Sequence, residues 1–278
     1  INAAIAQLLH GYDPQSTHVA VTLYFPPGIY MINSSILLYP FLNIKGAGQN
    51  CSVIMAMHNT SMQYMFVTAD NLGQTGANIG LNSANLPQFI GVHDFRISTN
   101  SQAISAFNLV RYQQVTINEC YITGGWTSPP VGNDTAFLLQ SIGNVIPTGN
   151  LRISNVSINN FSNGLLVNDP VQTTALLFCM FNNLNRGINL VNPNYGGPLI
   201  TSVTNSNFYA ILDSAIYNAS THSVTSSSNF YTHTGGIYWD AVSSKNISMG
   251  DVFDILPGVS DNGSTSSVIL NPGQSNLP

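Results

Sequence analysis

Charge is what this chain has least of. Only 6% of its 278 residues are Asp, Glu, Lys or Arg, against about 25% in an average soluble protein. Glutamate occurs once, at Glu119, and the six basic residues, Lys45, Arg96, Arg111, Arg152, Arg186 and Lys245, are scattered singly. A nucleic-acid partner is excluded, because its electrostatic footprint needs a clustered basic patch. No apolar run reaches the ~18 residues of a membrane-spanning helix, so no membrane span is expected. Cysteine is scarce as well: Cys51, Cys120 and Cys179 are odd in number, lack metal-ligand spacing and read as small buried core residues. The histidines, His10, His18, His58, His93, His222 and His233, never fall at ligand spacing, so no metal is predicted. Neither a glycine-rich phosphate loop nor a Gly-x-Ser-x-Gly elbow is present, and no cofactor is expected.

Apolar residues make up 44% of the chain, enough for a long core. Solubility then rests on Asn, Gln, Ser and Thr, and a surface of amides and hydroxyls keeps its character across pH. Such a surface suits a virion-surface or extracellular setting. Ile1, Ala4, Ile5, Leu8 and Leu9 follow helical spacing and Gly11 supplies a stop, so an amphipathic helix is predicted over 1–10. Laid across the first turn of a solenoid, it would cover an open strand edge. From Leu23 to Leu38, and again from Leu42 to Gly48, short apolar runs are separated by turn residues, with Pro27-Gly28 placed for a type II turn. Asp70 to Gln88 reads as a long loop, functional or mobile.

A repeat follows. Its first members are Val92–Ile97, Val115–Ile122, Ile153–Ile158, Leu176–Phe181, Val203–Phe208, Val224–Phe230 and Ile247–Phe253. Its second members start at small residues near Ala103, Thr135, Gly164, Gly187, Ala215, Gly236 and Ser267, spaced 21 to 32 residues apart. That drifting period is one solenoid coil with loop insertions. Asparagines before the apolar residues are read as a stacked amide ladder at a tight turn. The expected organisation is one β-helix domain over 1–270, including the capping helix, followed by a tail or linker over 271–278.

The phrase from Leu23 to Gly48, following an alanine-rich helix, resembles the opening coil of the pectin-lyase-like, right-handed parallel β-helix family, of the phage tailspike or viral surface spike type. That resemblance implies an all-β, single-stranded right-handed parallel β-helix of about eight to ten coils. It also implies a homotrimer on a virion and a cell-surface polysaccharide as partner. The motif series of polygalacturonase-like members, Asn-x-Asp, Asp-Asp, Gly-His-Gly and Arg-x-Lys, is not found, nor is the calcium-binding aspartate cluster of pectate-lyase-like members.

Chemistry, if the chain performs any, is expected in the C-terminal coils. Glycoside hydrolysis needs two carboxyls across a sugar, and Asp213, Asp240 and Asp254 are the candidate catalytic residues. Coils one apart sit about 4.8 Å from each other, so acids at matching positions can reach one ring. Aligning Ile216 with Ile237, however, puts Asp213 before its strand and Asp240 after it. Trp126, Trp239, Tyr238 and His233 are the candidate carbohydrate contacts, since aromatic faces give sugars an apolar platform. Three functions follow: a spike or adhesin domain that binds polysaccharide, a depolymerase using paired aspartates, or a structural virion component without a ligand.

Overall fold

The computed structural model describes residues 1–9, 20–80, 86–125, 134–140, 148–168, 171–191, 200–219, 223–231, 236–240, 246–253, 258–262 and 267–271. The chain winds as a right-handed parallel β-helix, and each of ten coils adds one strand to sheet one. These strands are Val21–Phe25, Leu42–Gly46, Ile90–His93, Gln114–Asn118, Thr148–Ser154, Val171–Leu177, Ile200–Thr204, Ser223–Ser226, Asn246–Met249 and Ser267–Leu270. The remaining strands form sheet two, which bends at a corner into two faces. In coils five to seven a single strand rounds that corner, Ser157–Val167, Met180–Leu190 and Asn207–Asn218. In coil eight it is split into Asn229–Tyr231 and Ile237–Trp239, and in coil nine into Val252–Phe253 and Val259–Asp261. The last small-residue anchor is corrected: Ser267 opens a strand of sheet one, paired with Asn246–Met249, and Gly258, just before the Val259 that pairs with Ile237, holds the position expected of it.

The corner between the two sheets explains the repeat. In each of coils three to nine one residue turns it in the left-handed region: Asp94, Glu119, Asn155, Phe178, Asn205, Ser227 and Gly250, with φ between 49° and 67°. Asn and Asp tolerate this region, whereas other L residues pay about 1–2 kcal/mol. The exposed Phe178 is nonetheless held there, because its N–H bonds the Thr204 carbonyl of the next coil at 3.1 Å, as Asn155 N–H bonds Leu177 at 3.0 Å. A column of backbone bonds builds this corner, with mixed side chains outside, and the expected asparagine ladder is present in part: Asn155 donates to Asn118 at 3.4 Å, and Asn229, just before Phe230, donates to Asn207, just before Phe208, at 2.8 Å. Amide ladders also occur around the bend of sheet two, where Asn182 donates to Asn159 at 3.1 Å and Asn183 to Asn160 at 2.8 Å.

Inside the corner the next residue of each coil is buried: Phe95, Cys120, Val156, Cys179, Ser206, Ser228 and Asp251. Cys120 and Cys179 fit the buried reading, and burial pushes both thiols up to about 12. Cys51 does not, since it is exposed while Ser52 takes the inward place. From Cys179 onward the column is polar. Cys179 N–H donates to Ser206 Oγ at 3.1 Å, Ser206 N–H to Ser228 Oγ at 3.2 Å and Ser228 N–H to Asp251 Oδ1 at 2.9 Å. Asp251 N–H then donates to Asn271 Oδ1 at 2.9 Å, so Asn271, assigned to the tail, closes this column.

The core runs without a break from Ile5 to Val259. Its spine is two phenylalanine stacks: Phe66, Phe107 and Phe137, with ring centroids 4.7 and 4.9 Å apart, and Phe181, Phe208, Phe230 and Phe253, at 4.7, 4.8 and 4.7 Å. These spacings are the strand separation itself, repeated by identical side chains in register. The small anchors are small because the wall is tight. A Cβ on Gly164 would stand 2.5 Å from the Gly187 carbonyl oxygen and 2.7 Å from the Phe181 ring.

At the front, helix Asn2–Leu9 lies on coil one. Its Asn2 amide donates to the Ser35 carbonyl at 2.7 Å and accepts Leu37 N–H at 3.2 Å, so a side chain serves the open edge of strand Ile36–Leu38. Gly28 is extended, at φ 158°, and starts strand Gly28–Ile32, so no type II turn forms there. The described part of the long loop is pinned from within. Buried Asp70 accepts Leu72, Gln74 and Gly80 N–H groups, and Arg111 donates to the Ala77 and Ile79 carbonyls.

Candidate functional site

Sheet two beyond its bend presents one face built from coils five to nine. In-register pairing lines up Leu166, Asn189, Tyr217, Tyr238 and Ser260 as one outward row, between the buried rows that hold Ile216 and Ile237 on one side and Asn218 and Trp239 on the other. The period of two along each strand puts alternate side chains on this surface. Two tyrosines in the same row of adjacent coils must stack. The rings of Tyr217 and Tyr238 lie 5.3 Å apart with 6° between their planes.

Polar groups frame the stack on both sides. Arg186 lies over the Tyr217 ring, 4.6 Å from its centroid, and its Nε donates to Asp213 Oδ2 at 2.5 Å. The cation thus meets a carboxylate and an aromatic face together. Tyr217 donates its hydroxyl to Asp240 Oδ2 at 2.6 Å, and Asn262 donates to Tyr238 Oη at 3.1 Å. At the other end Arg186 reaches Asn189 at 3.5 Å, and Asn189 donates to Asn163 at 3.2 Å. The hydrogen bond to Asp240, then burial and the carboxylate's charge, push the Tyr217 phenol up to about 12, against a smaller downward pull from Arg186. Tyr217 is therefore a proton donor fixed on Asp240, not a base.

Around the bend a second tyrosine stack, Tyr209 and Tyr231, stands 5.0 Å apart at 6°, with the two residues 37% and 42% exposed. Asn182 occupies the same row one coil earlier. The surface of coils six to nine thus carries two aromatic platforms, with Asp213 and Arg186 on the stretch of chain between them.

Of the residues singled out from sequence, Asp213, Asp240 and Tyr238 lie on this surface. The two aspartates do not form a direct pair; Arg186 and Tyr217 connect them. Trp239 is 1% exposed and belongs to the core, so its ring offers no platform to a sugar. The reason is register: Trp239 follows Tyr238 by one residue and points to the opposite side of the strand. Trp126, His233 and Asp254 lie outside the described residues. Among the described residues no group of three or more His, Cys, Asp or Glu side chains is placed to hold a metal, and no helix is long and apolar enough to cross a membrane.

Sequence reasoning passed over Arg186 as a site residue. Its signal was the coil period, since Arg186 and Asp213 are 27 residues apart. An extra residue between Ile211 and Ser214, opposite the stretch from Leu184 to Arg186, disguises the match, setting Arg186 opposite Ser214 and leaving Asp213 to swing toward Nε.

The family described as rhamnogalacturonase A/epimerase, pectate lyase-like, matches residues 1–209, a span that ends within the tyrosine surface. Among solved structures, the A-module of mannuronan C-5 epimerase AlgE6 from Azotobacter vinelandii superposes with a TM-score of 0.64 at 13% identity, over 97% of this chain and 71% of that one. The AlgE4 A-module of the same organism gives 0.61 at 14%, over 97% and 72%. The ORF18 protein of Geobacillus virus E2 gives 0.55 at 13%, over 92% of this chain and 55% of that one. At these identities the likeness is one of fold. No protein of curated function matches the chain.

Proposed function

Because the chain belongs to the rhamnogalacturonase A/epimerase, pectate lyase-like family, we propose that it engages a polysaccharide on the tyrosine surface of coils six to nine, as a spike or adhesin domain acting on a cell surface. The observation that carries this reading is the Tyr217–Tyr238 stack, in register on adjacent coils and flanked by Arg186, Asp213, Asp240 and Asn262. Stacked phenols present an apolar platform to a sugar ring, while the surrounding carboxylates, guanidinium and amide are placed for its hydroxyls. A virion-surface or secreted setting and a homotrimer are part of the proposal. Their support is the weakly charged amide surface, together with the fold shared with a protein of Geobacillus virus E2. Sedimentation velocity decides the trimer.

The test is a set of binding isotherms against purified capsular and cell-wall polysaccharides. At least one is expected to bind, with Tyr217→Ala and Tyr238→Ala each weakening it about tenfold. Binding that neither variant disturbs would remove the reading.

A second reading, a depolymerase, is favoured by one observation: Asp213 and Asp240 share a face and are linked through Arg186 and Tyr217. Against it, both carboxylates are engaged as hydrogen-bond acceptors, an arrangement that positions a ligand more readily than it supplies a proton. Release of reducing ends that Asp240→Asn abolishes would establish the enzyme; intact polymer after prolonged incubation leaves binding alone.

A further inference from the structure

Sheet one takes no part in the tyrosine surface, yet its outer face carries a groove of about 580 Å³ lined in part by His93, Gln114, Thr116, Asn118, Asn150 and Arg152. Register sets the floor. Gly91, Thr116 and Arg152 form one row and His93, Asn118 and Ser154 the next. Gly91 has no side chain to fill the row, and a Cβ there would collide with His93 Nε2 and Asn43 Oδ1.

Two donors of this groove are unspent. Of the other described arginines, Arg96 lies over Tyr121, Arg111 donates to two loop carbonyls and Arg186 pairs with Asp213. Arg152 is exposed and has no such partner among the described residues. Asn118 is half committed: its Oδ1 accepts from Ser154 Oγ at 2.9 Å and from Asn155 Nδ2 at 3.4 Å, which leaves its NH₂ without a partner among the described residues. Two unused cationic or amide donors on adjacent coils of one sheet face, with hydroxyl and amide groups around them, match an oxyanion set on a polyhydroxylated ring. The nearby acids stand at the corner of the coil, where Asp94 is 3.8 Å from Lys45 and Glu119 follows Asn118.

We infer that this groove is a second saccharide site, separate from the tyrosine surface, which takes an anionic group carried on a sugar. Arg152 and the Asn118 amide hold the carboxylate or sulfate, and Thr116, Gln114 and Asn150 meet the hydroxyls. A net charge of −5 gives the chain no general attraction for polyanions, so binding of an acidic polymer reports on this local arrangement.

The experiment is affinity electrophoresis of the whole chain through gels containing polygalacturonate, dextran sulfate or neutral dextran. Retardation is expected with at least one of the two anionic polymers and not with dextran, and which of them retards the protein separates carboxylate from sulfate. Arg152→Ala is expected to weaken that retardation about tenfold, Arg152→Lys to restore part of it, and Arg96→Ala, which removes an exposed arginine outside both surfaces, to leave it unchanged. Equal retardation by dextran, none by either anionic polymer, or wild-type behaviour of Arg152→Ala with its circular dichroism intact would overturn the inference. Loss with Tyr217→Ala alone would also overturn it, by placing the anion on sheet two.

Discussion

Tyr217 is the residue on which the candidate site turns, and its ionisation makes that measurable. Its phenol donates to Asp240 at 2.6 Å, and this bond is the largest cause of a pKa raised from 10.0 to about 12. A group whose folded pKa exceeds its unfolded value favours the folded state below the unfolded pKa, and that contribution is lost as pH rises through the folded one. Here the window lies between about 10 and about 12. An alkaline titration of phenolate absorbance, with far-UV circular dichroism confirming the fold at each step, should show one late tyrosine that Tyr217→Phe removes. Asp240→Asn should bring it back toward the ordinary value; a titration that neither change alters would mean the bond does not form in solution. Tyr238 was legible from sequence, and so was the alignment that puts Tyr217 beside it, because Ile216 and Ile237 share an inward row. Trp239 was misread for the same reason in reverse. One step along a strand exchanges surface for core, and aromatic character alone does not reveal which side a residue takes.

At the scale of elements, the coil was legible wherever its wall demanded small residues or its core demanded phenylalanine, since both recur at the coil period. The sharp corner was less so. Asparagine there suggested an amide ladder, but the positive φ is enforced by carbonyls of the next coil, so Glu119, Phe178 and Ser227 hold the same conformation without its sequence mark. The bulge between Ile211 and Ser214 was invisible because it changes no residue type, only the register. Nor did the pattern reveal the polar column inside the corner, whose last side chain, Asp251, is fully buried. Its two oxygens accept Ser228 N–H at 2.9 Å and Ser248 Oγ at 2.7 Å. Replacing it with alanine strands both donors in the core and is expected to cost about 3 kcal/mol in urea denaturation. Asp251→Asn keeps an oxygen for Ser228 N–H but sets an amide donor against Ser248 Oγ, which already accepts from Asn271, so one donor instead of two is stranded and its loss should be about half as large. Equal losses in the two variants would show that negative charge, not the bonding pattern, is what the column requires.

For the whole molecule, the scarcity of charge means that stability rests on stacked apolar side chains and on hydrogen bonds between coils. The described residues contain two ion pairs between acidic and basic side chains, Lys45–Asp94 at 3.8 Å and Arg186–Asp213 at 2.5 Å, with side chains between 22% and 55% exposed. Exposed pairs of this kind are worth about 0–1 kcal/mol each and are screened by salt. The phenylalanine stacks and the backbone columns have no charge to screen, and each coil depends on its neighbours rather than on any long-range field. The urea midpoint is therefore expected to move by less than about 0.5 M between ~0.05 M and ~0.5 M sodium chloride. Retardation by an acidic polymer on sheet one should fall over the same range, by up to about tenfold, because one guanidinium carries its charge. If the midpoint dropped in parallel with that retardation, ion pairs would be holding the coils together, and the amide-rich surface would need a different account from the one its composition supports.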